Sequence, residues 1–144
     1  MNSTHVGSSH PAHDLPKLTK NQGLVFDVLS AEAGPMTAYA ILDALRSEGF
    51  KAPLQVYRAL DKLVEFGIVH RLESLNAFVA CSHPGCAQNE TAAFAICERC
   101  GGVNEFTPEK AVECLQAWAD GAGFAPSRTT IELRGTCRDC MAAA

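Results

Sequence analysis

Pro53-Leu54-Gln55-Val56-Tyr57-Arg58-Ala59-Leu60-Asp61-Lys62-Leu63-Val64-Glu65 runs through Phe66-Gly67 directly into Ile68-Val69-His70-Arg71-Leu72. Val56, Ala59, Leu60, Leu63 and Val64 recur at helical spacing. Proline suits the first turn and Gly67 closes the last, so the stretch predicts a helix with one apolar face. After the glycine the character changes to strand. Ile68–Leu72 and Ala77-Phe78-Val79-Ala80 flank Glu73-Ser74-Leu75-Asn76, which reads as a hairpin turn.

Two further helices precede this one. Thr19 and Gln22 form a capping box ahead of Leu24, Val25, Val28 and Leu29, and Gly34-Pro35 stops that stripe. Thr37 can cap a second helix with Ala38, Ile41, Leu42 and Leu45 inward, ending near Gly49. Three helices and a hairpin within about 65 residues is the order of a winged helix-turn-helix. Ahead of it, residues 1–14 are small and polar. His5, His10 and His13 there can bind metal only weakly, and the segment reads as a solvated tail.

Residues 82–91 are rich in breakers and read as a linker. Beyond them, strands are expected at 92–97 and 102–106, then a helix from Thr107-Pro108 with Ala111, Cys114, Leu115 and Trp118 on one face, ended by Gly121 and Gly123. Cys114 in that stripe is expected to be an ordinary buried cysteine. A last strand, 128–134, alternates Ile131 and Leu133 with Glu132 and Arg134. The expected fold class is therefore α+β: a tail (1–14), a winged helix (15–80), a hinge (81–91) and a small second domain (92–144). A unit of about 55 residues is marginal alone and needs a metal or a partner subunit.

Of the 144 residues, 47% are hydrophobic and 19% charged, enough apolar material to exclude disorder over the whole length. No run reaches the roughly 18 apolar residues of a membrane span, and the N-terminus lacks a cationic start and an apolar segment. A cytoplasmic protein without membrane contact is expected. The net charge of −4 divides into −1 over residues 1–80 and −3 over 81–144, so DNA binding must come from a local surface and not from the total.

All seven cysteines lie between Cys81 and Cys140. An odd count without a secretion signal argues against a disulfide framework and for metal or redox chemistry. Cys97-x-x-Cys100 and Cys137-x-x-Cys140 stand at the two ends of the second domain. Two residues between thiolates let both sulfurs face one tetrahedral ion, and two such pairs complete a closed, structural four-thiolate zinc site. A redox pair starts a helix after a strand, whereas Gly101-Gly102 and another strand follow Cys100. At the hinge, His70 and Cys81 face each other across the end of the hairpin, with Glu90 and Glu105 following. A lone strand histidine is ordinarily structural, but imidazole, thiolate and carboxylate together suit zinc better than iron.

With Val56-Tyr57-Arg58-Ala59-Leu60-Asp61, Gly67–Ser74, Ile96-Cys97-Glu98-Arg99-Cys100-Gly101 and the two CxxC pairs, the chain resembles the ferric uptake regulator family over about residues 18–140. Within it the likeness is to the zinc uptake regulator branch. The resemblance implies a homodimeric repressor with an N-terminal winged helix, a C-terminal dimerisation domain, and operator binding permitted by zinc at the hinge. Two zinc ions per subunit are implied. Cys97, Cys100, Cys137 and Cys140 fall on the structural ligands; His70, Cys81 and Glu105 fall on three regulatory ligands. Many zinc-branch members have a histidine seven positions before the first CxxC cysteine, where this chain has Glu90. It ranks first as fourth ligand on spacing, with His83 and Cys86 as nearby substitutes. The iron- and peroxide-sensing branches place a histidine-rich cluster where this chain has Thr91, Ala92, Ala93 and Phe94, which cannot bind a metal in that way; a sensor of that kind is the alternative, disfavoured by Cys81.

Gln55, Arg58 and Lys62 lie on one face of the third helix, opposite its apolar stripe. A merely solvated face is the simpler reading without the resemblance. With it, the face enters the major groove of double-stranded operator DNA, and Tyr39, Gln55, Tyr57, Arg58 and Lys62 are the expected contacts, Arg58 being able to grip guanine with both nitrogens. Asp43 and Arg46 are placed to pair between subunits if two dimers share an operator. An enzyme is disfavoured: a zinc deaminase needs His-x-Glu and Pro-Cys-x-x-Cys around an open metal, and neither occurs. A zinc hydrolase with an open hinge site is the remaining enzymatic alternative.

Overall fold

The computed structural model describes residues 16–81 and 91–143. Helix α1 (Lys20–Ala31) starts on Thr19, whose hydroxyl accepts from the Gln22 amide at 3.3 Å while the Gln22 side chain accepts from the Thr19 amide at 3.0 Å. Helix α2 (Ala38–Ala44) is capped by Thr37 and passes through a short 3-10 turn, Arg46–Glu48, to Gly49 at φ 95°. Helix α3 (Pro53–Glu65) follows. Val25, Leu29, Ile41, Leu42, Val56, Leu60 and Leu63 interlock into one buried cluster, as their helical spacing predicts.

The hairpin of β1 (Val69–Leu72) and β2 (Ala77–Ala80) has two working faces. Its register pairs His70 with Val79 and Leu72 with Ala77 on one side, Val69 with Ala80 and Arg71 with Phe78 on the other. Val69, Phe78 and Ala80 close the helical core. Leu72 and Val79 pack instead with Leu75 against Phe94, Ile96 and Val103 of the second half. A period of two thus lets a four-residue strand serve two cores.

The second half is a three-stranded sheet in the order β4 (Val103–Phe106), β3 (Thr91–Cys97), β5 (Thr129–Gly135). The β3–β4 pair is antiparallel; β3 and β5 are parallel, joined through helix α4 (Glu109–Ala122). A short helix α5 (Arg138–Ala142), not anticipated from the sequence, ends the described chain.

Three expectations need correction. Gly121 lies inside α4, and Gly123 alone, at φ 66°, ends it. The stripe of Ala111, Cys114, Leu115 and Trp118 is not buried: α4 buries only Ala119, and Trp118 is 66% exposed. Cys114 is accordingly an exposed thiol. The apolar period is real, but among the described residues nothing covers it. Within the single chain, Asp43 and Arg46 form an exposed ion pair at 2.9 Å.

Candidate functional site

The four CxxC sulfurs converge. Cys97 ends β3, Gly101 at φ 74° turns the chain back beside Cys100, Cys137 follows β5, and Cys140 rides on α5. Their ligand atoms all lie within 4.8 Å of one another, with Cys100 and Cys137 Sγ 3.9 Å apart. Main-chain amides point into the cluster: Cys137 N donates to Cys97 Sγ at 3.3 Å and Gly102 N to Cys100 Sγ at 3.4 Å. A Cβ at Gly102 would stand 3.3 Å from Cys100 Sγ, so glycine keeps the pocket clear. The Arg99 guanidinium donates to the Cys140 carbonyl at 2.8 Å and ties the two CxxC segments together.

The electrostatics are those of a metal cradle. Amide hydrogen bonds from Cys100, then from Cys137 and Arg99, bring the Cys97 thiol down to about 6. The neighbouring Cys137 thiol, then burial, then Cys100 and Cys97, push Cys140 up to about 12. Four sulfurs this close cannot all ionise without a cation among them. A closed four-thiolate set fits a structural zinc ion, with no ligand position left for water.

A second cluster joins the two halves. His70 Nε2 of β1 lies 3.5 Å from Glu105 Oε1 of β4, each side chain only 14% exposed. The Cys81 amide donates to Ile68 O at 2.9 Å, which carries the chain one residue past β2 and holds Cys81 on the His70 side of the hairpin. Ligand atoms of His70, Cys81 and Glu105 all lie within 4.8 Å of one another. The His70 ring leans on Phe94, with centroids 5.4 Å apart. A cleft of about 320 Å³, walled by the end of α1, Cys81, Phe94 and Glu105, opens beside the cluster. Cys81 binds a metal as its thiolate. Imidazole, thiolate and carboxylate drawn from two domains fit a zinc site. Glu90, His83 and Cys86 lie outside the described residues.

The sequence-derived DNA face is uneven. Arg58 is exposed on α3, and Tyr39 is 64% exposed at the start of α2. Lys62 is exposed and pairs with Glu65 at 3.0 Å. Tyr57 is half-buried against the helical core. Gln55 uses its side-chain oxygen to accept from the amides of Lys51 at 2.7 Å and Ala52 at 3.1 Å, so it caps α3 and leaves only its NH₂ to outside groups. Leu54, in the first turn of α3 and 57% exposed, is a candidate contact that the sequence reading missed. Its signal was an apolar residue outside the helical stripe.

Glu132 is the other residue that was missed. Its carboxylate accepts from the amides of Glu73 at 2.6 Å and Ser74 at 3.1 Å, in the turn between β1 and β2. Burial raises its pKa, but the hydroxyl and amide of Ser74, the amide of Glu73 and the charge of Arg134 together outweigh burial and leave it lowered.

The model of the ferric uptake regulator family matches residues 16–134. The chain is 39% identical over 126 residues to the zinc uptake regulation protein of Escherichia coli (strain K12), covering 87% of this chain and 73% of that protein. It superimposes on the crystal structure of holo XcZur with a TM-score of 0.79 at 44% identity, over 89% of this chain and 88% of that one. With a zinc uptake regulator complexed with zinc and DNA the TM-score is again 0.79, at 37% identity, over 88% of this chain and 85% of the other.

Proposed function

Because the chain belongs to the ferric uptake regulator family, we propose that His70, Cys81 and Glu105 form its regulatory zinc site, through which free zinc decides whether operator DNA is bound. The protein is a zinc-responsive transcriptional repressor and not an enzyme; it binds zinc and DNA. In this reading Glu90 completes the hinge set, and the four-cysteine cluster holds a second, structural zinc in each subunit. The repressor acts in the cytoplasm on genes of zinc uptake and homeostasis.

One observation carries the assignment. His70 belongs to the wing, Cys81 to the hinge and Glu105 to the sheet, yet their ligand atoms fall within 4.8 Å. When bound, zinc supplies a cross-link among ligands that only the closed arrangement brings together. The chain's own residues do the rest. Phe94 and Leu72 seat the wing on the sheet, α3 projects Arg58 into the major groove, and Tyr39 and Lys62 hold the flanking phosphates. The exposed apolar side chains Leu115, Trp118, Phe124 and Leu133 are where a second copy docks, which fixes the spacing of two recognition helices.

Zinc per subunit and operator affinity, followed together across buffered free zinc under reducing conditions, test this reading. Two equivalents are expected, the second rising in step with operator binding. Operator binding indifferent to free zinc overturns it.

A further inference from the structure

The sheet presents one row of side chains to the wing. β3 pairs Phe94 with Glu105 on β4 and with Glu132 on β5, so all three point to the same face. Glu105 meets His70 near the start of β1, Phe94 lies buried beneath Leu72, and Glu132 meets the turn after β1. Within that turn, Leu75 and Asn76 donate to Leu72 O and Glu73 O, while the two preceding amides, Glu73 and Ser74, converge on the one carboxylate. Successive main-chain amides aimed at a single point form an anion seat, and hydrogen bonds to a charged acceptor are the stronger kind. These residues lie 58 and 59 positions apart in the chain. The contact therefore exists only while the wing lies on the sheet.

We propose that Glu132 is a positioning residue for operator binding: a metal-free clasp whose carboxylate holds the wing turn at Glu73 and Ser74 and so pre-closes the DNA-reading half on the sheet. It rests on the assignment of the hinge as the zinc sensor, whose ligands it brings within reach at the far end of the same strand. A contact made only in the closed state shifts the equilibrium toward it and lowers the free zinc needed to complete closure. Arg134, next on the same face of β5, is itself engaged by Glu98 at 2.9 Å, so the clasp is the carboxylate and not an ion pair.

The test uses the full-length, structurally zinc-loaded protein with Glu132→Ala and the near-isosteric Glu132→Gln. Amide hydrogen exchange of residues 73 and 74 is read first, without DNA. Both variants are expected to lose protection there while β3 keeps its own. Operator binding across buffered zinc is read second. The zinc midpoint should rise about three- to tenfold in Glu132→Ala and less in Glu132→Gln, with affinities converging at saturating zinc. If Glu132→Ala fails to fold, Glu132→Gln alone decides. Unchanged protection of both amides, or an unchanged midpoint in a folded variant, overturns the clasp. If the wild type binds no operator at any zinc level, the functional reading fails, and the exchange measurement still judges the clasp.

Discussion

Glu105 and Glu132 flank Phe94 in one row across three strands, and each carboxylate reaches a different end of the same wing strand. The separation of the two carboxylates is set by the sheet, because neighbouring strands lie about 4.8 Å apart whatever their side chains. The wing is therefore received by a rigid template, and what remains adjustable is whether it is seated.

In the proposed reading, seating depends on the hinge ligands. His70→Ala and Cys81→Ser should each leave a folded dimer that keeps its structural zinc, loses one zinc per subunit and no longer binds operator at low free zinc. Shifting a population from 1:99 to 99:1 takes about 5.5 kcal/mol of differential affinity, which metal–ligand bonds present only in the closed form can supply. Metal analysis beside operator titration checks this, and a Cys81→Ser protein with two zincs and an unshifted response refutes it.

The four-cysteine site should behave differently. Cys137→Ser should remove the structural zinc and leave the C-terminal unit unfolded, since metal affinity in small zinc modules is folding free energy of about 10 kcal/mol or more. Thermal melting and zinc content together decide it. A stable, fully melting-competent variant would show that the sheet stands without its clip.

Arg58→Ala should weaken specific operator binding by about 1–3 kcal/mol and relax preference at one base position. Zinc content and dimerisation should not change, because the side chain is exposed and belongs to neither set of candidate metal ligands. Binding measured at fixed salt against a single-base operator series distinguishes this from loss of a phosphate contact, which would weaken all sequences alike.

Trp118→Glu should break the dimer without unfolding the chain. The ring is 66% exposed and lies near Phe124, centroids 6.3 Å apart, so a single subunit loses little. At the centre of a subunit interface a tryptophan is worth about 2 kcal/mol or more, roughly thirtyfold in dimer affinity. Sedimentation at falling concentration, with melting as control, gives the answer.

Much was readable along the chain because its causes are local. Thr19 and Gln22 cap α1, the apolar stripes mark α1 to α3, and Gly67 closes α3, each through contacts spanning a few residues. The CxxC pairs are equally local, since two intervening residues settle that both sulfurs of a pair face one point. Periodicity, however, says that a face is apolar without saying what covers it. The Leu115 and Trp118 stripe was expected inside its own chain and stands open. Alternation along β5 likewise cannot tell which face meets the wing: Glu132 is partly covered and hydrogen-bonded there, while Leu133 is 56% exposed. Both outcomes follow from the parallel register of β3 and β5, which pairs Phe94 with Glu132 across 38 positions of chain. The elements and the zinc clip were decided by short-range geometry in the sequence itself. The clasp at Glu132 and the meeting of His70 with Glu105 were decided by long-range strand pairing, because only the folded sheet brings side chains so distant in sequence into one row.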